Sequence, residues 1–217
     1  MLIFDFFAGT KSSTKAFEDA GHKVISFELD QSFEGITEYA DIMQLDAKTL
    51  LEKYGRPDFV WASPPCTAFS VASMGHHWQS GGASPVPKTK EAAFNQKLVA
   101  KTLQLINDLH PSRGWLVENP RGMLRKLEVV KGLPRITVTY CQYGDKRMKP
   151  TDLWGFVPGW IPREACKNGM PCHEAAPRGS RTGTQGLKGA KIRSQVPYEL
   201  GLEILRAIKG EERNDQH

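Results

Sequence analysis

Long apolar runs are missing from this sequence. None reaches the roughly 18 to 20 residues that a bilayer-spanning helix needs, and the opening MLIFDFFAG carries neither a basic leader nor a small-residue cleavage site. A membrane or secreted protein is therefore not expected. Cysteine is scarce, with four positions at 66, 141, 166 and 172. Without a secretory leader, such thiols belong to a reducing compartment, where they are catalytic, metal-binding or buried rather than paired. Internal repeats are absent, and aliphatic residues thin out over 158–193, a stretch rich in Gly, Pro, Arg and Lys that cannot close a core of its own.

What is present suits one domain with at most a small appendage: 217 residues, 40% hydrophobic, enough for one sizeable core. Charge is lopsided. Residues 1–109 carry a net −3 and residues 110–217 a net +8, with +10 concentrated in 110–193. A basic surface of this kind points to a polyanionic partner, nucleic acid first.

The chain opens as a βαβ unit. LIFDFFAG is a strand that ends at Ala8-Gly9, Thr10-Lys11-Ser12-Ser13 is a tight turn, an amphipathic helix runs to Ala20, and residues 22–27 form a second strand with the acidic tip Glu28-Leu29-Asp30. Spacing then predicts a helix around 47–54, a buried strand at 57–62 stopped by Ser63-Pro64-Pro65, a helix over 90–109 and a strand at 114–117 ending at Glu118-Asn119-Pro120. Residues 70–88 are polar and rich in Gly, Ser and Pro, which reads as a mobile surface loop. A β-hairpin pattern follows over 133–157, and Pro197 opens a last helix to Lys209. Alternating strands and helices imply an α/β fold with a mostly parallel sheet and flanking helices. The Ala8–Ser13 turn, Ser63–Ser70 and Glu118-Asn119-Pro120 all fall near C-terminal strand ends, where ligands bind in such sheets.

Taken together, Asp5-Phe6-Phe7-Ala8-Gly9 with Glu28 and Asp41, Ser63-Pro64-Pro65-Cys66 running on to Ser70, Glu118-Asn119-Pro120, and Tyr143-Gly144 with Arg147 and Lys149 resemble the cytosine-C5 DNA methyltransferase family in order and spacing. The resemblance covers roughly residues 3–155, with a weaker echo near 192–208. It implies a Rossmann-like S-adenosylmethionine-dependent methyltransferase fold, plus a small basic irregular subdomain. In that family Cys66 would be the nucleophile, Glu118 would contact the cytosine ring, and Arg147 with Lys149 would assist the thiolate and the base. Cytosine C5 is a poor nucleophile, so a thiolate adding at C6 is what makes C5 reactive toward a methyl donor. A duplex hides that atom, so the base must be flipped out.

The resemblance also places cofactor contacts at Phe6, Gly9, Thr10, Glu28, Asp41, Ile42, Pro65, Ser194 and Val196. It makes 70–88 a closing loop, with Phe69, Ser70, His76, His77, Trp78 and Gln79 against DNA. The first loop has fewer glycines than the family's usual one, and Arg193-Ser194 stands where Gly-Asn is customary. The implied organisation is a catalytic domain over 1–155, a reduced target-recognition segment over 156–191 and a C-terminal helix over 192–210 that returns to the catalytic domain. Arg178, Arg181, Lys188 and Lys191 suit phosphate or guanine contacts. The expected partner is double-stranded DNA, the expected form a monomer. The compact size suggests a phage or prophage enzyme, cytoplasmic in a bacterial or phage-infected cell. An RNA cytosine-5 methyltransferase and a non-catalytic DNA-binding relic remain as alternatives.

Cys166, Cys172 and His173 form a Cys-x5-Cys-His stretch, with Cys141 upstream. Two readings stand. These four would make a closed tetrahedral zinc site that staples a segment with no aliphatic core, or they are reduced thiols beside a surface histidine, since neighbours such as Cys172 and His173 rarely serve one metal.

Overall fold

A computed structural model describes residues 1–79, 84–174 and 189–211. The opening strand β1 (Leu2–Phe6) turns into a short helix α1 (Lys15–Asp19), then come β2 (Lys23–Glu28), β3 (Glu38–Tyr39), α2 (Ala47–Tyr54) and β4 (Phe59–Ala62). Next are a one-turn helix α3 (Met74–His77), the strands β5 (Trp78–Gln79) and β6 (Val86–Pro87), the long helix α4 (Lys90–Leu109) and β7 (Trp115–Pro120). The chain closes with β8 (Arg135–Thr139), β9 (Pro150–Phe156), α5 (Ala190–Ser194) and α6 (Tyr198–Lys209).

Seven strands make one sheet in the order β3-β2-β1-β4-β7-β9-β8. The first five are parallel, and β9 runs antiparallel to both β7 and β8. Side chains alternate faces along each strand, so β1 and β4 each supply two cores. Phe4, Phe6, Val60 and Ala62 pack with Leu98, Val99, Leu105 and Ile106 of α4 on one face. Ile3, Phe59 and Trp61 pack with Phe17 of α1 and Leu200, Ile204 and Ile208 of α6 on the other. This is the doubly wound, Rossmann-like α/β architecture expected from the sequence. Among the described residues, no helix is long and apolar enough to cross a membrane.

Two expectations need correction. Residues 70–88 are not a plain polar loop: α3 and the β5–β6 pair are built there, and Trp78 is 3% exposed, packed in the main core. The apolar residues are few but large, and one indole seated on Phe69 organises the segment. The second concerns β7, which does not stop before Glu118 but continues through Pro120, because β9 keeps pairing with it after β4 has ended.

The turn that leaves β1 is wound through left-handed backbone at Phe7, Gly9 and Lys11, with φ of 60°, 50° and 58°. Two of these are not glycine, and such strain concentrates where a ligand is handled. Asp5 anchors the turn from below: fully buried, it accepts hydrogen bonds from Thr14 Oγ1 at 2.6 Å and from Ser13 Oγ. Burial pushes its carboxyl up from 3.8 to about 7, against the opposing pull of those two hydroxyls. The folded chain therefore keeps a proton that the unfolded chain gives up. Asp5's contribution to stability is full below about pH 3.8, declines as pH rises and is gone above about pH 7, with a slope approaching ~1.4 kcal/mol per pH unit. Urea denaturation between pH 5 and 8 should show the wild type losing stability more steeply than Asp5→Asn; parallel curves would refute the buried-proton account.

Candidate active site

Three chain segments meet at the ends of β4 and β7. Pairing between these strands ends at Ala62 and Val117, so Glu118, Asn119 and Pro120 project beyond their parallel neighbour while still bonded to β9. Ser63-Pro64-Pro65-Cys66 crosses the open space. Asn119 Nδ2 donates to the Pro64 carbonyl at 2.9 Å, which sets the height at which the chain reaches Cys66. Its Oδ1 is buried with no protein partner.

Beyond Cys66 the chain folds into a tight turn in which the amides of Phe69 and Ser70 both donate to the Cys66 carbonyl, at 3.0 and 2.9 Å. The surroundings fix this turn at several points. Trp78 Nε1 donates to the Ala68 carbonyl at 2.7 Å, the Met123 amide donates to the Phe69 carbonyl at 2.7 Å, and Thr67 Oγ1 donates to Glu91 of α4 at 2.6 Å. Gly122 makes the second of these contacts possible, because a Cβ there would lie 2.2 Å from the Phe69 carbonyl oxygen.

Glu118 is buried at 5% exposure and accepts a hydrogen bond from the Tyr140 hydroxyl at 2.8 Å. Burial pushes the Glu118 carboxyl up; Lys149 and the Tyr140 hydrogen bond oppose this without cancelling it, and Asp152 adds to the rise. Cys66 is half-buried. Its thiol is also pushed up, first by burial and then by the Glu118 charge, with Lys149 and Arg193 pulling the other way. Lys149 itself is driven down by burial and held up in part by Glu118. Its Nζ lies 4.5 Å from the Tyr140 ring centre and donates to the Arg193 carbonyl at 3.0 Å. A carboxyl, a thiol and an ammonium thus share one poorly solvated space, each biased toward its neutral form.

Arg147 departs from its expected role. Its guanidinium clamps both carboxylate oxygens of Asp145, and Nη1 donates to the Arg193 carbonyl. Burial raises Asp145, but the Arg147 hydrogen bonds outweigh it and hold that carboxyl low. The reason is local: a carboxylate two residues upstream closes a turn on the Arg147 amide as well. The cations that act on Cys66 are Lys149 and Arg193.

The residues expected around a cofactor lie along the neighbouring strand ends. The Gly9 amide donates to Glu28 Oε2 at 2.9 Å, and the Leu29 and Asp30 amides donate to Oε1, which leaves this carboxylate about one lone pair for a hydroxyl. Asp41 caps the turn at Ile42–Gln44 through the Met43 amide, and Ile42 is buried. Pro65 and Thr10 are exposed. Val196 is buried, and its amide donates to Ser12 Oγ at 3.0 Å, which joins the C-terminal segment to the first turn; Ser194 is exposed and bonds back to Lys191. Phe6 needs correction, since its ring is wholly buried against Phe4 and Phe27 and only its backbone faces the turn. Among the described residues neither Glu28 nor Asp41 forms an ion pair, and acceptor carboxylates beside the apolar Ile42 fit a nucleoside with hydroxyl and amino donors, so the set is compatible with S-adenosylmethionine.

Of the residues expected against DNA, Phe69, His77 and Trp78 are buried, so their side chains hold the turn rather than face a ligand; His77 Nδ1 lies 2.8 Å from Thr89 Oγ1. His76 and Gln79 are exposed, and Ser70 is half-buried on Ser73. Lys191 reaches back to the Ser32 carbonyl and sits 4.3 Å from the Phe33 ring centre, so its ammonium is already engaged. Arg178, Arg181 and Lys188 lie outside the described residues. Cys141, Cys166, Cys172 and His173 do come together, with ligand atoms all within 4.8 Å of one another.

Tyr140, Asp145, Asn119 and Phe33 carry roles that the sequence reading did not assign. Tyr140 lies within the predicted hairpin over 133–157 and Asp145 follows Tyr143-Gly144, so both stood beside residues already singled out. No pattern marks Phe33, whose ring lies 3.8 Å from where a Gly9 Cβ would be.

No family model matches the chain. A probable DNA (cytosine-5)-methyltransferase of frog virus 3 (isolate Goorha) is 30% identical over 218 residues, covering 94% of this chain and 99% of that protein. Among solved structures, the Entamoeba histolytica methyltransferase EhMeth superposes with a TM-score of 0.51 at 14% identity over 77% of this chain, and the S. pombe Dnmt2 methyltransferase with 0.51 at 11% over 76%. The present chain spans 57% and 51% of those two, and the likeness to them is one of fold.

Peptide mapping of alkylated Cys66 across pH should show a thiol that ionises above the ordinary value of 9.0. Glu118→Gln should lower that value and Lys149→Met should raise it; a titration that ignores both changes would dissolve the coupling. Gly122→Ala should push the Phe69 carbonyl off the Met123 amide and cost about 1–3 kcal/mol, read as a lower urea midpoint with faster Cys66 alkylation. An unchanged midpoint and rate would show that the two segments are free to part.

Proposed function

The chain belongs to the DNA (cytosine-5)-methyltransferase family, and from that membership we propose that it methylates C5 of cytosine in double-stranded DNA with Cys66 as the nucleophile. The observation that carries this reading is the shared space of Cys66, Glu118 and Lys149 at the open end of β7. A target cytosine entering there displaces water and brings N3 to a carboxyl already biased toward its protonated form. Glu118 donates that proton to N3 as the Cys66 sulfur adds to C6, so the electron pair that the new bond releases is drawn into the ring and made available at C5.

Cys66 starts as a thiol and must lose its proton to solvent before it adds. Neutralising Glu118 removes the charge that opposes this loss, so protonation of the carboxyl and activation of the sulfur are cooperative. Lys149 stabilises the thiolate by charge, while Tyr140 holds Glu118 Oε1 in place. S-adenosylmethionine, when bound, would supply an electrophilic methyl group to C5 and depart as S-adenosylhomocysteine; loss of the C5 proton to solvent then restores the C5–C6 double bond and expels the Cys66 sulfur. Gly9, Thr10, Glu28, Asp41, Ile42 and Pro65 would hold the cofactor, with Val196 closing the C-terminal side, a reading supported by the Ser12 hydrogen bond.

In this reading residues 1–155 carry the reaction, 156–191 carry a short recognition segment and 192–210 return to the first turn. The exposed His76 and Gln79 are the candidates for DNA contact on the nucleophile side. A compact enzyme with a short recognition segment is supported by the similar length of the frog virus relative, whose source does not bear on a phage or prophage origin.

Wild-type protein and Cys66→Ala are to be incubated with tritiated S-adenosylmethionine and, in parallel, duplex DNA of mixed sequence or total RNA, and the labelled nucleoside identified after digestion. Label is expected in 5-methylcytosine and should fall by roughly 10³-fold or more in Cys66→Ala. Label in another nucleoside, or label that survives the substitution, overturns the mechanism; label in RNA alone moves the substrate to RNA.

A further inference from the structure

We propose that Cys141, Cys166, Cys172 and His173 bind one zinc ion as a closed Cys3His site that fastens the 166–174 segment to the turn following β8. The site is separate from the Cys66 centre and does not depend on the methyl-transfer reading.

Geometry carries the argument. A tetrahedral zinc with bonds of about 2.3 Å to sulfur and 2.0 Å to nitrogen sets its ligand atoms roughly 3.5 to 3.8 Å apart. The sulfur of Cys172 lies 3.7 Å from that of Cys141 and 3.1 Å from that of Cys166. His173 Nδ1 lies 3.4 Å from the Cys166 sulfur and 3.8 Å from the Cys172 sulfur. Cys141 and Cys166 are buried, Cys172 and His173 half-buried. A disulfide would need its sulfurs at about 2.05 Å, and four donors converging on one point would exceed what one disulfide requires.

The objection that adjacent residues seldom share a metal is met by how His173 reaches the cluster. It uses Nδ1, the ring nitrogen nearer the backbone, and it sits on a bend directly after the turn that holds Cys172. A short reach is what a ligand next to another ligand requires. The surroundings are arranged as around bound metals, where outer groups orient the ligands. Gln142 Nε2 donates to the Cys172 sulfur at 3.3 Å, the Cys166 amide donates to Thr139 Oγ1 at 2.8 Å, and the Glu174 amide donates to the Lys146 carbonyl at 2.8 Å.

Need and consequence point the same way. Residues 157–174 contain no helix or strand, so no ladder of backbone pairing orders them and isolated bonds such as Glu174 to Lys146 do so instead. One ion would join them to Cys141, whose neighbour Tyr140 bonds the Glu118 carboxyl. On binding, the three thiols release their protons to solvent while the imidazole stays neutral and keeps the proton on Nε2, so the site gains a net charge of −1.

The full chain, purified under reductant without chelator, is to be assayed for metal and then exchanged with cobalt. One zinc per chain is expected, and the cobalt form should show the intense visible bands and sulfur charge transfer of a tetrahedral thiolate site. Competition with a chelator should show zinc affinity falling by roughly 100-fold or more in Cys172→Ser and His173→Ala, and by about 10- to 100-fold in Gln142→Ala, with circular dichroism to confirm folding. Failure of the wild-type chain to retain or bind stoichiometric zinc, an octahedral cobalt spectrum, or a two-hydrogen mass loss that maps to a Cys166–Cys172 disulfide would each overturn the site. None of these readouts involves methylation, so they stand or fall apart from the proposed reaction.

Discussion

The site depends on a mismatch in strand length. Pairing between β4 and β7 ends at Ala62 and Val117, while β9 carries β7 on to Pro120. In an open α/β sheet ligands bind outside the carboxyl ends of the strands, in the layer of loops. Here three residues of regular strand enter the loop layer, which gives Glu118 and Asn119 the rigidity of the sheet. The backbone of Asn119 pairs with Asp152 while its side chain holds the Pro64 carbonyl, so the segment that leads to Cys66 is referenced to the sheet. Gly122 then brings the chain beyond β7 back against Phe69, and the turn carrying Cys66 is held on both sides.

This rigidity has an electrostatic cost that the site uses. Glu118, Cys66 and Lys149 are all taken from water, and burial is the largest influence on each of them. Burial pushes the two acids up and the ammonium down, so all three drift toward neutrality until a polar ligand replaces the lost solvation. Arg147 shows the opposite solution: it is equally buried, yet Asp145 neutralises it locally. The paired guanidinium fixes the geometry of a turn while its charge still helps to push Lys149 down, and Lys149 is the first cation to act on the Cys66 thiol.

The fold was legible in the sequence because its signals are periodic. The helices over 47–54 and 90–109 match their predicted spans, and the βαβ opening follows from the apolar run, small polar turn and acidic strand tip. The candidate catalytic residues were legible as motifs, although the partners that govern them were not. Tyr140 comes to Glu118 from the far side of the hairpin, a tertiary pairing that local pattern does not encode. The misreading of 70–88 has a similar cause. Average polarity described Gly, Ser and Pro correctly, but one indole hydrogen-bonded to Ala68 and stacked on Phe69 ties the described part of the segment to the core. The converging cysteines and histidine were visible as residue types, and only the turn at 171–173 shows how two neighbours come to one centre.

The charge asymmetry needs the same distinction between what is counted and what is available. A net +10 over 110–193 suggests a broad phosphate-binding face. Several of those cations are already committed inside the fold. Arg125 forks onto Asp152 and Thr137, tying the loop after β7 to β8 and β9. Arg163 joins Glu199 and Glu203 of α6 and lies 5.0 Å from the Tyr143 ring centre. With Arg147 on Asp145 and Lys191 over Phe33, four cations of this stretch act as mortar; Arg125 and Arg147 are balanced by acids within it, and Arg163 and Lys191 draw on its excess. Charge has taken over work that apolar contact does elsewhere in the chain, so the composition that suggests a wide DNA-binding face also records how this half of the molecule holds together.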